Sequence, residues 1–419
     1  MPGTIRLLLV LSYVVPYGIA CSPPTLYGQS ACLECHSEPD LTMQNEQGNE
    51  ISLFVDATQF ARSVHADFDC TDCHSDLSGS DHPEGHFAKV ECGGCHEQAL
   101  EAYQKSVHAA ALTTGASDAA TCTDCHGKHD ILSPSNPESR THPLQVAMTC
   151  AACHSDAKIV KKYAIPIHDP LGAYRNSVHG AAVLSENNFS AATCYSCHKS
   201  HDIRALGDPS SSIYWQNVAS TCGRCHAKIY HQYSSSIHGK AVARGIREAP
   251  TCTDCHGEHG VASHENPASP VHPLRVSSTT CERCHASELI TQRFGISDSR
   301  VSTFEDSYHG LAIKGGSLAV ANCASCHGIH NILPSSDPSS TINSANLQQT
   351  CGTCHKDVTE NFVKGSVHLT ASTTPGRVVQ AVRRFYIMVI IAVIGMMVLH
   401  NAADFVSKAR RILAQRGDE

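Results

Sequence analysis

The stretch Cys122-Thr-Asp-Cys125-His126-Gly-Lys-His129 holds two cysteines, a histidine directly after the second, and another histidine three residues on. Its first five residues form a pattern, Cys-x-x-Cys-His, that occurs eleven times in the 419 residues and takes up twenty-two of the twenty-three cysteines. The other occurrences are Cys32, Cys35 and His36; Cys70, Cys73 and His74; Cys92, Cys95 and His96; Cys150, Cys153 and His154; and Cys194, Cys197 and His198. They continue with Cys222, Cys225 and His226; Cys252, Cys255 and His256; Cys281, Cys284 and His285; Cys323, Cys326 and His327; and Cys351, Cys354 and His355.

Two thiols followed at once by histidine form the attachment signature of c-type haem. The cysteines join the porphyrin vinyl groups, and the histidine lies under the iron as its proximal ligand. A zinc reading needs two cysteine pairs per metal and leaves the histidine at a fixed offset unexplained. The sequence therefore implies 11 covalently bound haem c.

Composition agrees. One Trp, 5% aromatic residues and 17% charged residues are a poor basis for an ordinary core of this size. Porphyrins wrapped by short segments supply the missing apolar volume. The expected fold is mostly α with extensive coil, a haem-packed core, short helices, very little strand and one C-terminal transmembrane helix. A net charge of −8 argues against a nucleic-acid partner.

Both ends read as membrane-related. Residues 1–20 resemble an export signal, with Arg6 before an apolar run and small residues at Gly18 and Ala20. Cys21, the odd cysteine, is either a lipidated N-terminus or a plain thiol beside the cleavage point. Near the other end, residues 385–399 are continuously apolar, with Arg383 and Arg384 before them and Lys408, Arg410, Arg411 and Arg416 after. That run with its flanks is long enough to span a bilayer. The basic flank places the tail in the cytoplasm and the haem-rich body in the periplasm.

A duplication organises the interior. Cys122 and Cys252, Cys150 and Cys281, Cys194 and Cys323, and Cys222 and Cys351 are each about 130 residues apart, as are His108 and His238, His142 and His272, and His179 and His309. The expected organisation is a signal at 1–20, a three-haem segment at 21–100, and four-haem repeats at 101–231 and 232–362. A linker at 363–376, a transmembrane helix at 377–406 and a basic tail at 407–419 complete it.

Eleven irons need eleven distal ligands if protein fills every axial site. Outside the signal and the membrane helix only Met43 and Met148 remain, so histidine must supply them. Six occur as Ser-x-His: His65, His108, His179, His238, His309 and His368. Four follow a motif as Cys-His-x-x-His: His129, His201, His259 and His330. The eleventh is His86 or its neighbour His82, with His142 and His272 as competitors, while His168, His231 and His264 read as surface residues. Bis-histidine ligation gives low-potential irons closed on both faces. This favours an electron carrier over an enzyme. The alternative is a terminal reductase of nitrite, hydroxylamine or a sulfur oxyanion at one open haem.

Ser-Val-His-Gly followed by Cys-x-x-Cys-His-Gly-x-His resembles multihaem c-type cytochromes of anaerobic respiration, over residues of about 60–370. The pattern is shared by decahaem periplasmic cytochromes of outer-membrane conduits and by haem-rich subunits of inner-membrane quinone-linked cytochrome b/c complexes. Leu399-His400-Asn401-x-x-Asp404-Phe405 is similar to the helix that precedes the b-type domain in fused members of the second group. The resemblance implies electron transfer between the quinone pool and periplasmic cytochromes or reductases, through a b-type cytochrome partner. His400 and Asp404, four apart on one helix face, are read three ways: haem b ligation shared with that partner, a quinone site, or an interfacial polar pair.

Overall fold

The computed structural model describes residues 27–44, 48–77, 88–166, 169–297, 299–369 and 374–416. The signal segment, Cys21, His82, His86 and His168 lie outside them. The described residues form short helices joined by turns, with a single antiparallel pair of three-residue strands, Thr42–Gln44 and Glu50–Ser52, in which Met43 faces Ile51. The expected helical fold with very little strand is what the chain adopts.

Local chemistry explains why so many helices are only one or two turns long. Five motifs open on a reciprocal cap. Thr121, Thr193, Thr251, Asn322 and Asp69 each precede the first cysteine, and each backbone N–H donates to the side chain three residues on: Asp124 (2.7 Å), Ser196 (3.0 Å), Asp254 (2.7 Å), Ser325 (3.1 Å) and Asp72 (2.9 Å). Four of these helices then stop after the histidine, at Gly127, Lys199, Gly257 and Gly328, all with positive φ. Positive φ reverses the chain, which is why glycine stands at three of the four positions.

The remaining motifs lack this cap. Five of them lie at the ends of segments that begin before the cysteines: Tyr27–His36, Val146–His154, Val218–Gly223, Leu347–Gly352 and a π-helical stretch, Val276–Cys281. Capped and uncapped motifs alternate. The sequence repeat therefore resolves into five two-motif modules, spanning residues 63–96, 106–154, 177–226, 236–285 and 307–355. Each opens on Ser-x-His, and the uncapped motif of Cys32 precedes them all.

In four modules the opening serine is a helix N-cap. Ser106, Ser177, Ser236 and Ser307 accept the N–H of Ala109, Gly180, Gly239 and Gly310, at 3.2, 2.9, 3.0 and 3.3 Å. The histidine is thereby fixed on the first helical turn. The residue between serine and histidine donates its N–H to a carbonyl two places after a Cys-His-x-x-His segment. The pairs are Val64 to Ile131, Val107 to Ile203, Val178 to Val261 and Ile237 to Ile332, each at 2.8 Å. Loop serines lock the intervening turns: Ser139, Ser211, Ser269 and Ser340 are buried and donate to the carbonyls of Leu132, Arg204, Ala262 and Leu333.

Two compact units result, Met1–Ala102 with Ala120–Gln145, and Tyr103–Ala119 with Val146–Glu419. The first break falls close to the end of the three-motif segment at 21–100, whereas Ala120–Gln145 groups with the earlier residues. Buried apolar side chains among the described residues are few and mostly Ala and Val, with Tyr174, Phe304 and Leu333 the largest. That is too thin a core to hold modules of this size, so the volume inside the helices belongs to something other than side chains.

The terminal helix runs from Thr374 to Arg416. It starts three residues before the boundary read at 377 and carries the basic tail as helix rather than coil. Gly376–Arg411 is long and apolar enough to cross a membrane, has a mean hydropathy of 2.1 in its most apolar window, and is not buried in the protein. It fits a single-pass membrane anchor.

Candidate haem-binding sites

Four of the five capped helices end on their motif histidine, and each N-capped Ser-x-His helix carries its histidine as its second residue. Packing brings motif histidines and these additional histidines together in pairs. Five Ser-x-His histidines meet uncapped or terminal motifs of the same region: His65 with His96 at 5.9 Å between ring centroids, His108 with His154 at 6.2 Å, His179 with His226 at 6.2 Å, His238 with His285 at 6.2 Å, and His309 with His355 at 6.1 Å. Three Cys-His-x-x-His histidines reach back to the capped motif of the preceding module: His129 to His74 at 6.3 Å, His259 to His198 at 6.0 Å, and His330 to His256 at 6.1 Å. At the C-terminal end, His368 stands against His327 at 6.3 Å.

These separations test whether the residues fit a haem iron. A metal–imidazole bond is about 2 Å, and a ring nitrogen lies about 1.1 Å from its ring centre, so two imidazoles on opposite faces of one iron sit roughly 6.2 Å apart. All nine pairs fall within 5.9–6.3 Å. The nine separations match that span across one iron. The residues fit the group.

Ring orientation separates the pairs into two classes. The three Cys-His-x-x-His pairs are close to parallel, with interplanar angles of 31°, 8° and 19°. The six Ser-x-His pairs are tilted by 46–67°. In four of the tilted pairs the Ser-x-His histidine sits on the first turn of a helix, whereas each near-parallel Cys-His-x-x-His histidine sits just after one.

Electrostatics suits ligation. Burial holds His108, His129, His154, His179, His256, His285, His309, His327, His330 and His368 below the usual histidine range. For His198 and His238 it brings the value down to about 4. The rings are therefore neutral at pH 7, the state that donates a lone pair. His36 hydrogen-bonds through Nδ1 with the carbonyl of Leu53 at 2.8 Å, and His368 Nδ1 with Thr303 Oγ1 at 3.2 Å. Such bonds orient an imidazole for its other nitrogen.

Consecutive motifs are spatial neighbours within each unit. Leading cysteines touch in pairs: Cys32 with Cys70, Cys92 with Cys122, Cys150 with Cys194, Cys222 with Cys252, and Cys281 with Cys323. Second cysteines face the next motif in turn: Cys73 towards Cys92 and Cys95, Cys197 towards Cys222 and Cys225, Cys255 towards Cys284, and Cys326 towards Cys351 and Cys354. In each unit the motifs follow one another in chain order.

The sequence treats all eleven second cysteines alike, but the structure does not. Cys35, Cys73, Cys95, Cys225 and Cys354 are exposed, whereas Cys125 and Cys153 are half-buried. Cys35 lies one residue from the end of Tyr27–His36, and its carbonyl accepts the N–H of Glu38 at 3.0 Å. Cys153 holds the same place in Val146–His154, and its carbonyl accepts the N–H of Asp156 at 3.1 Å. All twenty-two motif cysteines are free of disulfides, as thiols reserved for thioether formation must be.

The competing histidines behave differently. His142 and His272 are buried, and each Nδ1 accepts the N–H two residues on, from Leu144 at 3.2 Å and Leu274 at 3.3 Å. They close the turn before the uncapped motif. His126 ends its capped helix, and His201 follows the reversed residue Lys199. His400 and Asp404 lie on the exposed terminal helix, where Asp404 is ion-paired with Lys408 at 2.8 Å. The alternation of capped and uncapped motifs escaped the sequence reading. Its signal was present, as Asp or Ser third in the motif behind Thr, Asn or Asp.

No protein-family model and no solved structure matches the chain. It is similar to the multihaem cytochrome MtrA of Shewanella baltica (strain OS185), with 26% identity over 260 residues, covering 55% of this chain and 67% of that protein. That likeness, with the row of cysteine pairs, supports a multihaem c-type cytochrome carrying covalently bound haem.

Proposed function

We propose that this chain is a membrane-anchored undecahaem c-type cytochrome that transfers electrons between the quinone pool and periplasmic acceptors. The observation that carries the reading is the set of nine histidine pairs at 5.9–6.3 Å. Haem c supplies reversible one-electron chemistry when bound. The chain's own part is to hold each pair of neutral imidazoles on opposite sides of one site, leaving no axial position for a substrate. The eleven motif histidines are the proximal ligands, and His65, His86, His108, His129, His179, His201, His238, His259, His309, His330 and His368 the distal ones.

The terminal helix ties the body to the inner membrane, with the haem-rich part in the periplasm. One helix does not carry electrons across a bilayer, so a b-type cytochrome subunit is its partner. His400 and Asp404 are the residues through which this helix meets that partner's haem or quinone. The test is affinity purification from detergent-solubilised membranes, with pyridine haemochrome spectra and quinol-driven reduction. Haem b, a polytopic partner and quinol-dependent reduction of haem c are expected. A lone chain that quinol cannot reduce would remove the quinone link. A high-spin signal in the resting protein would point instead to a reductase.

A further inference from the structure

The junctions between consecutive motifs carry different charges. Where Cys197 meets the next motif, Arg224 donates to the carbonyl of Ser196 and, through Nε, to Thr221 at 3.4 Å. Where Cys255 meets the next motif, Arg283 donates to the carbonyl of Asp254 at 2.7 Å, with the Asp254 carboxylate 3.8 Å away. The two arginines hold the same place, third in an uncapped motif, and each reaches back to the third residue of the motif before. At Cys326 the position in register is Thr353, which donates to Thr350 at 2.8 Å. At Cys73 the local charge has the opposite sign, because Asp72 is held beside it by the N–H of Asp69 at 2.9 Å.

We propose that Arg224 and Arg283 raise the reduction potential of the haems at their junctions and that Asp72 lowers it at its own, so that reducing equivalents collect in the middle of the array. This rests on the reading that the motifs carry haem. Reduction of ferric to ferrous iron takes up one electron and removes one positive charge. A guanidinium hydrogen-bonded to the carbonyl beside an attachment cysteine favours the less positive state, and a carboxylate favours the more positive one. Arg224 faces a serine, whereas Arg283 faces a carboxylate that offsets part of its charge. The junction at Arg224 is therefore the most oxidising of the four, and the junction at Asp72 the least.

The test is spectropotentiometric titration of the full-length holoprotein, with covalent haem counted by mass spectrometry in every variant. Arg224→Gln is expected to move a subset of the titrating haem to lower potential, and Arg283→Gln to move a subset less far. Arg224→Lys, which keeps the charge, holds the wild-type curve. Asp72→Asn and Thr353→Arg, which act at other junctions, are expected to move a subset upward. They decide the matter alone should Arg224→Gln fail to mature. Curves that superimpose for Arg224→Gln and Thr353→Arg, at full haem content, overturn the proposal. So does Arg224→Lys shifting as far as Arg224→Gln, since that would leave the arginine only a structural role. Absence of covalent haem from the wild-type chain overturns the underlying reading instead.

Discussion

Removing His259 should alter one iron and leave the others untouched. Its ring is 6.0 Å from that of His198 and only 8° from parallel to it, the flattest of the three near-parallel pairs. An alanine there ends at Cβ and cannot reach the site, so His259→Ala leaves His198 as the single protein ligand of that haem. On the proposed undecahaem reading, one iron of eleven, about 9% of the total, becomes high-spin. Ferrous protein then binds carbon monoxide at one site per chain. Because the mutual orientation of two imidazole planes sets the splitting of the iron d orbitals, the low-spin resonances fall into two classes. His259→Ala removes one of the three described near-parallel members and leaves the six tilted ones unchanged. The control is His272→Ala, at a more deeply buried histidine whose Nδ1 closes a turn. It should cost about 1 kcal/mol of local stability and produce no high-spin iron. Electron paramagnetic resonance with carbon monoxide titration reads both variants. A wild-type spin state in His259→Ala, or a high-spin signal in His272→Ala, refutes the pairing.

Three further outcomes follow from local geometry. Ser236, 1% exposed, accepts the N–H of Gly239 and donates to the Tyr233 carbonyl at 2.6 Å. Ser236→Ala should cost about 1 kcal/mol through the lost cap, since the Tyr233 carbonyl keeps the backbone N–H of residue 236 at 2.9 Å, read as roughly 5-fold faster hydrogen exchange in residues 237–243, and an unchanged rate would show that the cap does not hold that helix. Lys199 sits at φ 65° with ψ near 180°, a region that suits glycine. Lys199→Gly should relieve about 1–3 kcal/mol of strain, less up to about 1 kcal/mol for glycine's entropy and the exposed pair with Asp202; denaturant titration that reports a loss of stability would contradict the strain argument. A chain ending at residue 373 should leave the membrane fraction with its haem intact, and retention that ends only when Cys21 is also replaced would move the anchor to the N-terminus.

Much of the site was readable because covalent attachment demands a fixed local pattern. The motif histidines, Ser-x-His and Cys-His-x-x-His are contiguous signals, and they name the rings that meet. Which ring meets which was not readable, since the partners are brought together by packing across tens of residues: His259 crosses from its own module to His198, and His368 reaches His327 from beyond the last module. Nor was the uneven exposure of the second cysteines, which separates Cys35 from Cys153 although both end an uncapped helix. His142 and His272 show that repetition also marks turns, since each Nδ1 accepts the N–H two residues on. The terminal helix was legible from its apolar run, but not its extent. Helix propensity in Ser407–Gln415 carries it past the point where hydropathy falls. His82 and His86 lie outside the described residues.

The backward reach of His129, His259 and His330 has an arithmetic consequence. A segment that completes the site of its predecessor makes the array self-consistent under translation: splice out one whole module, and the following segment arrives in the same register with the same histidine to offer. Length can then vary by gain or loss of modules without stranding an iron in the interior, and cofactor capacity changes in steps of two. Parity is settled at the margins, by the solitary motif of Cys32, Cys35 and His36 and by His368, which closes the last site where no further module follows.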